Sequence, residues 1–115
     1  MKRDNDLMRK LLFEFEANEP WLFDVSDSFG LGAPNSPRAG HVYLLCDAGL
    51  LEKTGSLFRL TNSGHHFLDA IRDDTIWNRT KDGAAQVGGM TLKMMGDLAI
   101  ANLKQEFTAR VGVNL

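Results

Sequence analysis

The stretch of residues 41–64 constrains the fold more than any other part of the sequence. Apolar residues at helical spacing lead to Gly49, and glycine just past a helix is the residue that most easily takes a left-handed conformation. Residues 50–53 and 56–60 then flank Thr54-Gly55, which predicts a tight β-hairpin. The order helix, hairpin, helix predicts a mainly α fold with a small β-hairpin, namely a winged-helix-like (winged helix-turn-helix) core with an additional C-terminal helix.

Two helices are predicted ahead of the hairpin. Asp4 is a suitable N-cap for the first, whose apolar residues share one face until an Asn-Glu-Pro stop. Ser36-Pro37, a cap followed by proline at the first helical position, predicts a second helix over residues 36–48. Between them, residues 21–23 suit a short strand or a packed loop. Breakers in residues 28–37 predict irregular structure where a helix-turn-helix would have its first helix.

Two more helices are predicted after the hairpin. Thr61 caps a helix that we expect to run to about Lys81, with its apolar residues on one face. Asp82-Gly83 and Gly88-Gly89 bracket a predicted flexible link. Thr91 then caps a final amphipathic helix, so residues 90–112 form the additional C-terminal element.

Length and charge limit the classes of function. A chain of 115 residues has the usual size of a single domain, in which we expect residues 1–82 to form the core and the wing. Apolar residues make up 43% and charged residues 24%, as in ordinary globular proteins. The formal net charge of -2 gives no general attraction to nucleic acid or anionic membrane. A site for a polyanion would therefore have to be local.

The single cysteine and the lengths of the apolar runs predict the cellular compartment of the protein. Cys46 has no partner for an intramolecular disulfide and lies in an apolar run, where it is predicted to be a small buried hydrophobe. The opening residues pass directly into an amphipathic pattern without the apolar region of a secretion signal. No apolar run approaches the ~20 residues of a membrane-spanning helix. We expect a cytoplasmic protein without membrane association.

Several segments together resemble a known family. They are Met1-Lys2-Arg3-Asp4, the opening DLMRKLL of residues 6–12 and, above all, LTNSGHHFLDAIRDDTIW of residues 60–77. They are similar to an uncharacterised family found in bacteria, phages and prophages, number twenty-five-thirteen in the domain-of-unknown-function series. The resemblance covers nearly the whole chain, including the Gly88-Gly89 link and the closing helix. It implies a winged-helix-like fold and a mobile-element context, and it carries no established activity.

Five residues are predicted to contact DNA. In a winged helix, the helix before the hairpin can lie in a major groove while the wing touches phosphates or the minor groove. The predicted contacts on these two elements are Arg38, His41, Tyr43, Lys53 and Arg59. Further cations that could join them are Lys2, Arg3, Arg9 and Lys10, with Asp4, Asp6, Asp47 and Glu52 among them. The leading hypothesis is a phage- or prophage-type regulatory protein that binds double-stranded DNA in transcription regulation.

The alternative is a protein–protein adaptor. In this hypothesis the winged-helix scaffold contacts a host or phage protein, as a host-interaction or anti-defence protein would, without binding DNA. Tyr43, Leu44 and the last helix would make the contact.

The last helix carries more apolar residues than one narrow stripe needs. Methionine-rich faces adapt to partners, which predicts a partner or homodimer interface. Its predicted residues are Leu92, Met94, Met95, Leu98, Leu103 and Phe107. The open alternative is that this helix packs back onto the first helix.

No catalytic, metal or cofactor site is predicted, so the protein is not expected to be an enzyme. His65, Asp69 and Asp73 align on one helical face, but they lack a second cluster and a metal-motif spacing. Cys46 and His41 fall on different faces of their helix, without an oxyanion-hole motif. The glycine pairs lack a phosphate-loop lysine.

Overall fold

The computed structural model describes residues 1–24 and 35–112, where the chain forms five helices and three strands. In chain order they are α1 Asn5–Ala17, β1 Leu22–Asp24, α2 Pro37–Asp47, β2 Leu51–Thr54, β3 Leu57–Leu60, α3 Asn62–Ile71, α4 Asp74–Val87 and α5 Leu92–Val111. The predicted class, mainly helical with a small antiparallel hairpin, is confirmed; the winged-helix assignment stays a prediction. The irregular structure predicted within residues 28–37 falls largely on residues outside the described ones.

The chain divides into two compact units, Met1–Leu68 and Asp69–Leu115, and the boundary lies inside α3. In the first unit α1 packs against α2 and β3, while α2 packs against β2. The core of this unit contains the following buried apolar side chains from these elements, from the turn before β2 and from α3: Met8, Leu11, Leu12, Phe15, Ala39, Val42, Leu45, Leu50, Leu51, Phe58, Phe67 and Leu68.

The caps predicted for the first two helices are present. The Asp4 carboxylate accepts a hydrogen bond from the Leu7 amide at 3.1 Å and so caps α1. After α2, Gly49 has φ of 78°, and the Leu50 amide returns to the Leu45 carbonyl at 3.0 Å. A side chain at this φ would be strained, which is why glycine ends this helix and turns the chain into the hairpin.

The three strands form an antiparallel sheet in the order β1-β3-β2. Pairing of Thr54 with Leu57 leaves Gly55 and Ser56 as the two turn residues. The turn therefore lies one residue later than the predicted Thr54-Gly55. Of the two turn residues, only Gly55 has a positive φ, 62°, as expected for a hairpin turn with glycine at its first central position. The short strand that was one of two possibilities for residues 21–23 is present as β1.

The helix predicted to run from Thr61 to Lys81 is two helices, and that prediction was wrong. Thr61 does cap α3, since its hydroxyl accepts from the Gly64 amide at 3.0 Å. Asp73, however, starts a new helix: its carboxylate accepts from the amides of Thr75 at 2.8 Å and Ile76 at 3.2 Å. On one continuous helix Ile76 and Trp77 would lie opposite Leu68 and Ile71, so the apolar face changes at the break. This change of face is a signal of the break that the sequence carries.

The second unit contains an antiparallel pair of helices, α4 and α5. The predicted link at Asp82-Gly83 is instead part of α4, and only Gly88-Gly89 interrupts the helices, both with positive φ. Thr91 caps α5 as predicted, accepting from the Met94 amide at 3.1 Å. A Cβ on Gly83 would lie 2.8 Å from Leu98, so the missing side chain lets the two helices approach closely.

Polar contacts hold the same helix pair in register. The Arg79 guanidinium lies 2.6 Å from the Glu106 carboxylate. The hydroxyl of the fully buried Thr80 donates to the Ile76 carbonyl at 2.8 Å, and the Asn102 amide reaches that hydroxyl at 3.5 Å.

None of the helices among the described residues combines the length and the apolar character needed to cross a bilayer.

Asp73 should make the unfolding free energy of the chain decrease as the pH falls. The hydrogen bond from the Ile76 amide is the main cause that lowers the pKa of Asp73, and the Thr75 amide and the Arg110 guanidinium add to it. A carboxyl whose pKa is lower in the folded state stabilises that state above its unfolded pKa, and this contribution is lost as the pH falls through the folded pKa. The Asp73→Asn variant should therefore lose less unfolding free energy than the wild type between about pH 7 and about pH 3. Urea unfolding at the two pH values measures this, with Asp82→Asn on the same helix as the control; equal losses in wild type and Asp73→Asn would contradict it.

Candidate nucleic-acid interface

Helix α2 presents a narrow outer face next to the hairpin. The Ser36 hydroxyl accepts from the Ala39 amide at 3.2 Å, and Pro37 follows in the first turn, so the predicted start of this helix is confirmed. Ala39, Val42 and Leu45 are buried and Leu44 is half-buried, whereas Tyr43 is 49% exposed and Asp47, one turn later, is also exposed. Tyr43 is therefore the main side chain that this helix offers to a partner.

Lys53 on β2 joins Tyr43 at the surface. Its ammonium donates to the Tyr43 hydroxyl at 3.4 Å and lies 5.4 Å from the centre of the tyrosine ring. The ring of Phe58 supports both, with its centre 5.9 Å from the ammonium and 6.0 Å from that of Tyr43 in an edge-on arrangement. We call Tyr43, Lys53 and Phe58 the aromatic–lysine patch. It is the point where the helix and the hairpin share one solvent-facing surface.

Arg59 lies on the opposite face of the hairpin. In the β2–β3 register Lys53 pairs with Phe58, while Glu52 pairs with Arg59. Neighbouring residues of a strand point to opposite faces, so Arg59 points away from the patch. Its guanidinium forms an ion pair with the Glu52 carboxylate across the two strands.

Arg38 faces α1 rather than the hairpin. Its guanidinium lies 2.6 Å from the Glu14 carboxylate, and both side chains are about a third exposed or less. A separation of five residues on a helix turns Arg38 well away from Tyr43. The structure therefore brings together only Tyr43 and Lys53 of the five predicted contacts.

His41 is a core residue, and its prediction as a DNA contact was wrong. Its side chain is 1% exposed. Nδ1 lies 2.6 Å from the Pro37 carbonyl, and Nε2 lies 2.8 Å from the amide of Asp4. Because a carbonyl only accepts and an amide only donates, Nδ1 carries the hydrogen and Nε2 accepts. The imidazole thus ties the start of α1 to the first turn of α2.

The interface predicted on α5 is only partly exposed. Leu92 and Met95 are buried, so their prediction as partner contacts was wrong, and Leu98 is half-buried beside Gly83. Met94, Leu103 and Phe107 are exposed. The buried members belong to the core because they lie on the same face as Gly96 and Ala99.

Two exposed residues extend the apolar surface beyond the predicted set. Ile100 and Val111 join Leu103 and Phe107 at spacings of three, four and four residues, which places all four along one side of α5. We call these four residues the α5 stripe; their exposed fractions are 42% for Ile100, 39% for Leu103, 40% for Phe107 and 57% for Val111. The regular spacing of these residues can be seen in the sequence. Only their exposure in the structure distinguishes them from the buried residues on the core-facing side of α5.

The described residues give little support for a metal site or for a reactive cysteine. No three or more His, Cys, Asp or Glu side chains there are grouped closely enough to hold a metal ion. Cys46, predicted to be a small buried hydrophobe, is half-buried. Burial is the main cause that raises the pKa of its thiol, and Asp47 adds to it, so the neutral thiol is favoured.

This architecture defines a class: a mainly helical protein with a small antiparallel sheet, consistent with a helix-turn-helix-like arrangement. The chain belongs to the family described as Hypothetical protein (DUF2513), whose model matches residues 2–91. The predicted family is thereby confirmed, while the closing helix α5, which the resemblance was predicted to include, lies beyond the matched residues.

A relative of this chain is an uncharacterized protein of Haemophilus influenzae (strain ATCC 51907 / DSM 11121 / KW20 / Rd). The two are 34% identical over 90 residues, which covers 70% of this chain and 76% of the relative. No solved structure matches the chain.

Replacement of His41 should cost stability because the residue is structural. Leucine is similar in size but can neither accept from the Asp4 amide nor donate to the Pro37 carbonyl. His41→Leu should lower the unfolding free energy by about 2 kcal/mol, as expected when buried polar groups lose their partners. The exposed His66 offers a matched control, since His66→Leu should change it by less than about 0.5 kcal/mol. Urea unfolding measures both, and equal effects would contradict the structural role.

Proposed function

We propose that this chain is a winged-helix regulatory protein that binds double-stranded DNA with α2 and the hairpin. The observation that carries the proposal is the aromatic–lysine patch, where the Lys53 ammonium lies 3.4 Å from the Tyr43 hydroxyl. A helix that meets a hairpin at the surface can enter a groove while the hairpin reaches the flanking backbone. The sheet order β1-β3-β2 supports it, since among the described residues it leaves β2, the strand that carries Lys53, at an edge of the sheet.

The chemistry of the patch suits contact with the DNA backbone. Lysine binds phosphate as a point charge, and a tyrosine hydroxyl can donate a further hydrogen bond. Arg38 pairs with Glu14 and Arg59 pairs with Glu52 in partly exposed ion pairs. Such pairs contribute about 0–1 kcal/mol, so a phosphate can compete with the carboxylate for either guanidinium.

The charge balance points to modest affinity. The first unit, Met1–Leu68, has nine acidic side chains against seven lysines and arginines. Long-range attraction to DNA is therefore absent, and binding depends on local contacts and on shape. The regulatory role and the phage or prophage context implied by the family resemblance are parts of the same proposal.

Loss of Lys53 should weaken DNA binding in a salt-dependent way. Lys53→Ala should lower the affinity for a mixed-sequence duplex of roughly 30 base pairs several-fold and reduce the slope of log affinity against log salt by about one. Fluorescence anisotropy between about 50 and 200 mM salt measures both quantities.

The matched control is Lys93→Ala, which removes one exposed lysine from α5. This variant should bind duplex DNA as the wild type does. Absence of wild-type binding at low salt, or equal losses in the two lysine variants, would contradict the proposed function.

The second candidate function is contact with another protein, and the α5 stripe favours it. Four large apolar side chains in a row on one helix are a feature of helices that bind an apolar surface. Self-association is one form of this contact, and a two-fold dimer would present two copies of α2 as regulators do on two half-sites.

A charge in the α5 stripe should prevent self-association if the stripe mediates it. In this case the wild type is a dimer by light scattering, and Phe107→Glu is a monomer because a carboxylate is costly to bury in an apolar interface. Met94→Glu introduces the same charge at an exposed position on another face of α5 and should leave the dimer intact. A strictly monomeric wild type would exclude self-association, and capture of a salt-resistant protein partner that Phe107→Glu no longer binds would then support the adaptor form.

A further inference from the structure

The hydrogen bond of His41 determines where the first residues of the chain run. The Asp4 amide donates to Nε2 of His41 at 2.8 Å, although the two residues are 37 positions apart. Asp4 also caps α1 with its side chain. Residues 1–3 therefore leave α1 from a point that is held against the first turns of α2.

Gly40 gives these residues room on α2. A Cβ at Gly40 would lie 2.5 Å from Sδ and 2.8 Å from Cε of Met1. The Met1 side chain thus occupies the space that a larger residue would fill. Gly40 precedes Tyr43 by three residues, so both lie on the same side of the helix. The first residues of the chain cross the outer face of α2 near its start.

This path brings positive charge to a face that otherwise has little. Lys2 and Arg3 are both exposed. The outer face of α2 itself offers Tyr43 and the acidic Asp47. Two cationic residues therefore lie on a segment that runs beside the helix that the proposed function places against DNA.

We propose that residues 1–3 form a cationic arm that contacts the phosphates of duplex DNA, and that His41 is the positioning residue that holds the arm on α2. The inference rests on the proposed function and deepens it, because it supplies contacts that α2 and the hairpin lack. The arm and the aromatic–lysine patch would contact the backbone on the two sides of the outer face of α2. His41 thus serves binding from inside the core, through the path that it imposes on the chain.

The test compares two double variants with the same loss of charge. Lys2→Ala/Arg3→Ala should lower the affinity for the same mixed-sequence duplex about tenfold and reduce the salt slope by about two. The control, Lys93→Ala/Lys104→Ala, removes two lysines of α5 and should bind as the wild type does. All proteins are measured by anisotropy without a tag at the amino end.

A third variant tests the position of the arm without removing charge. Gly40→Leu fills the space of the Met1 side chain, while leucine also favours the helix. It should weaken duplex binding several-fold and increase the fast backbone motion of residues 2 and 3 in NMR relaxation. Unchanged motion and unchanged binding in this variant would overturn the positioning role.

The outcomes separate the inference from the function on which it rests. If the wild type binds duplex DNA and the Lys2→Ala/Arg3→Ala variant equals its control, the arm is refuted and the proposed function stands. If the wild type binds no duplex at low salt, both the cationic arm and the proposed function are refuted. If a polyglutamate peptide binds as tightly as duplex DNA and loses affinity equally in the arm variant, the arm serves an acidic protein surface and the assignment to DNA is overturned.

Discussion

The two hydrogen bonds of His41 decide which face of α2 is available to a partner. The imidazole joins the Asp4 amide to the Pro37 carbonyl and is itself almost completely buried. With His41 turned inward, the helix must present Tyr43 and Asp47 outward, because residues two positions apart on a helix point in very different directions. The apolar contacts of α1 and α2 supply most of the stabilisation, while this polar contact selects one rotation of α2 and one path for the residues before α1.

The register of the hairpin controls the electrostatics of the candidate interface. One strand pair places Lys53 beside Tyr43 and Arg59 beside Glu52, on opposite faces of the sheet. A shift of the register by one residue would exchange these faces. The hairpin turn at Gly55 and Ser56 therefore determines which cation joins α2, although neither turn residue carries charge. Ion pairs with Glu14 and Glu52 hold the two arginines apart from the aromatic–lysine patch.

Local signals in the sequence were sufficient for most element ends. The caps at Asp4, Ser36, Thr61 and Thr91 each depend on a side chain and an amide three residues away, so they can be read from neighbouring residues. The break between α3 and α4 was missed because an aspartate such as Asp73 is equally compatible with an exposed helical position, although the apolar residues change face after it. The hairpin turn lies one residue later than predicted because its position depends on strand pairing as well as on the glycine.

The sequence by itself determined most of the helices, the hairpin and the family, since these depend on periodicity, capping residues and a conformational preference that act over a few positions. Only the tertiary structure decided the exposure of individual side chains. It placed His41, Leu92 and Met95 in the interior and left Tyr43, Ile100 and Val111 at the surface. The physical reason is that burial depends on which elements pack against a given face, and contacts such as that of Asp4 with His41 join residues far apart in the chain.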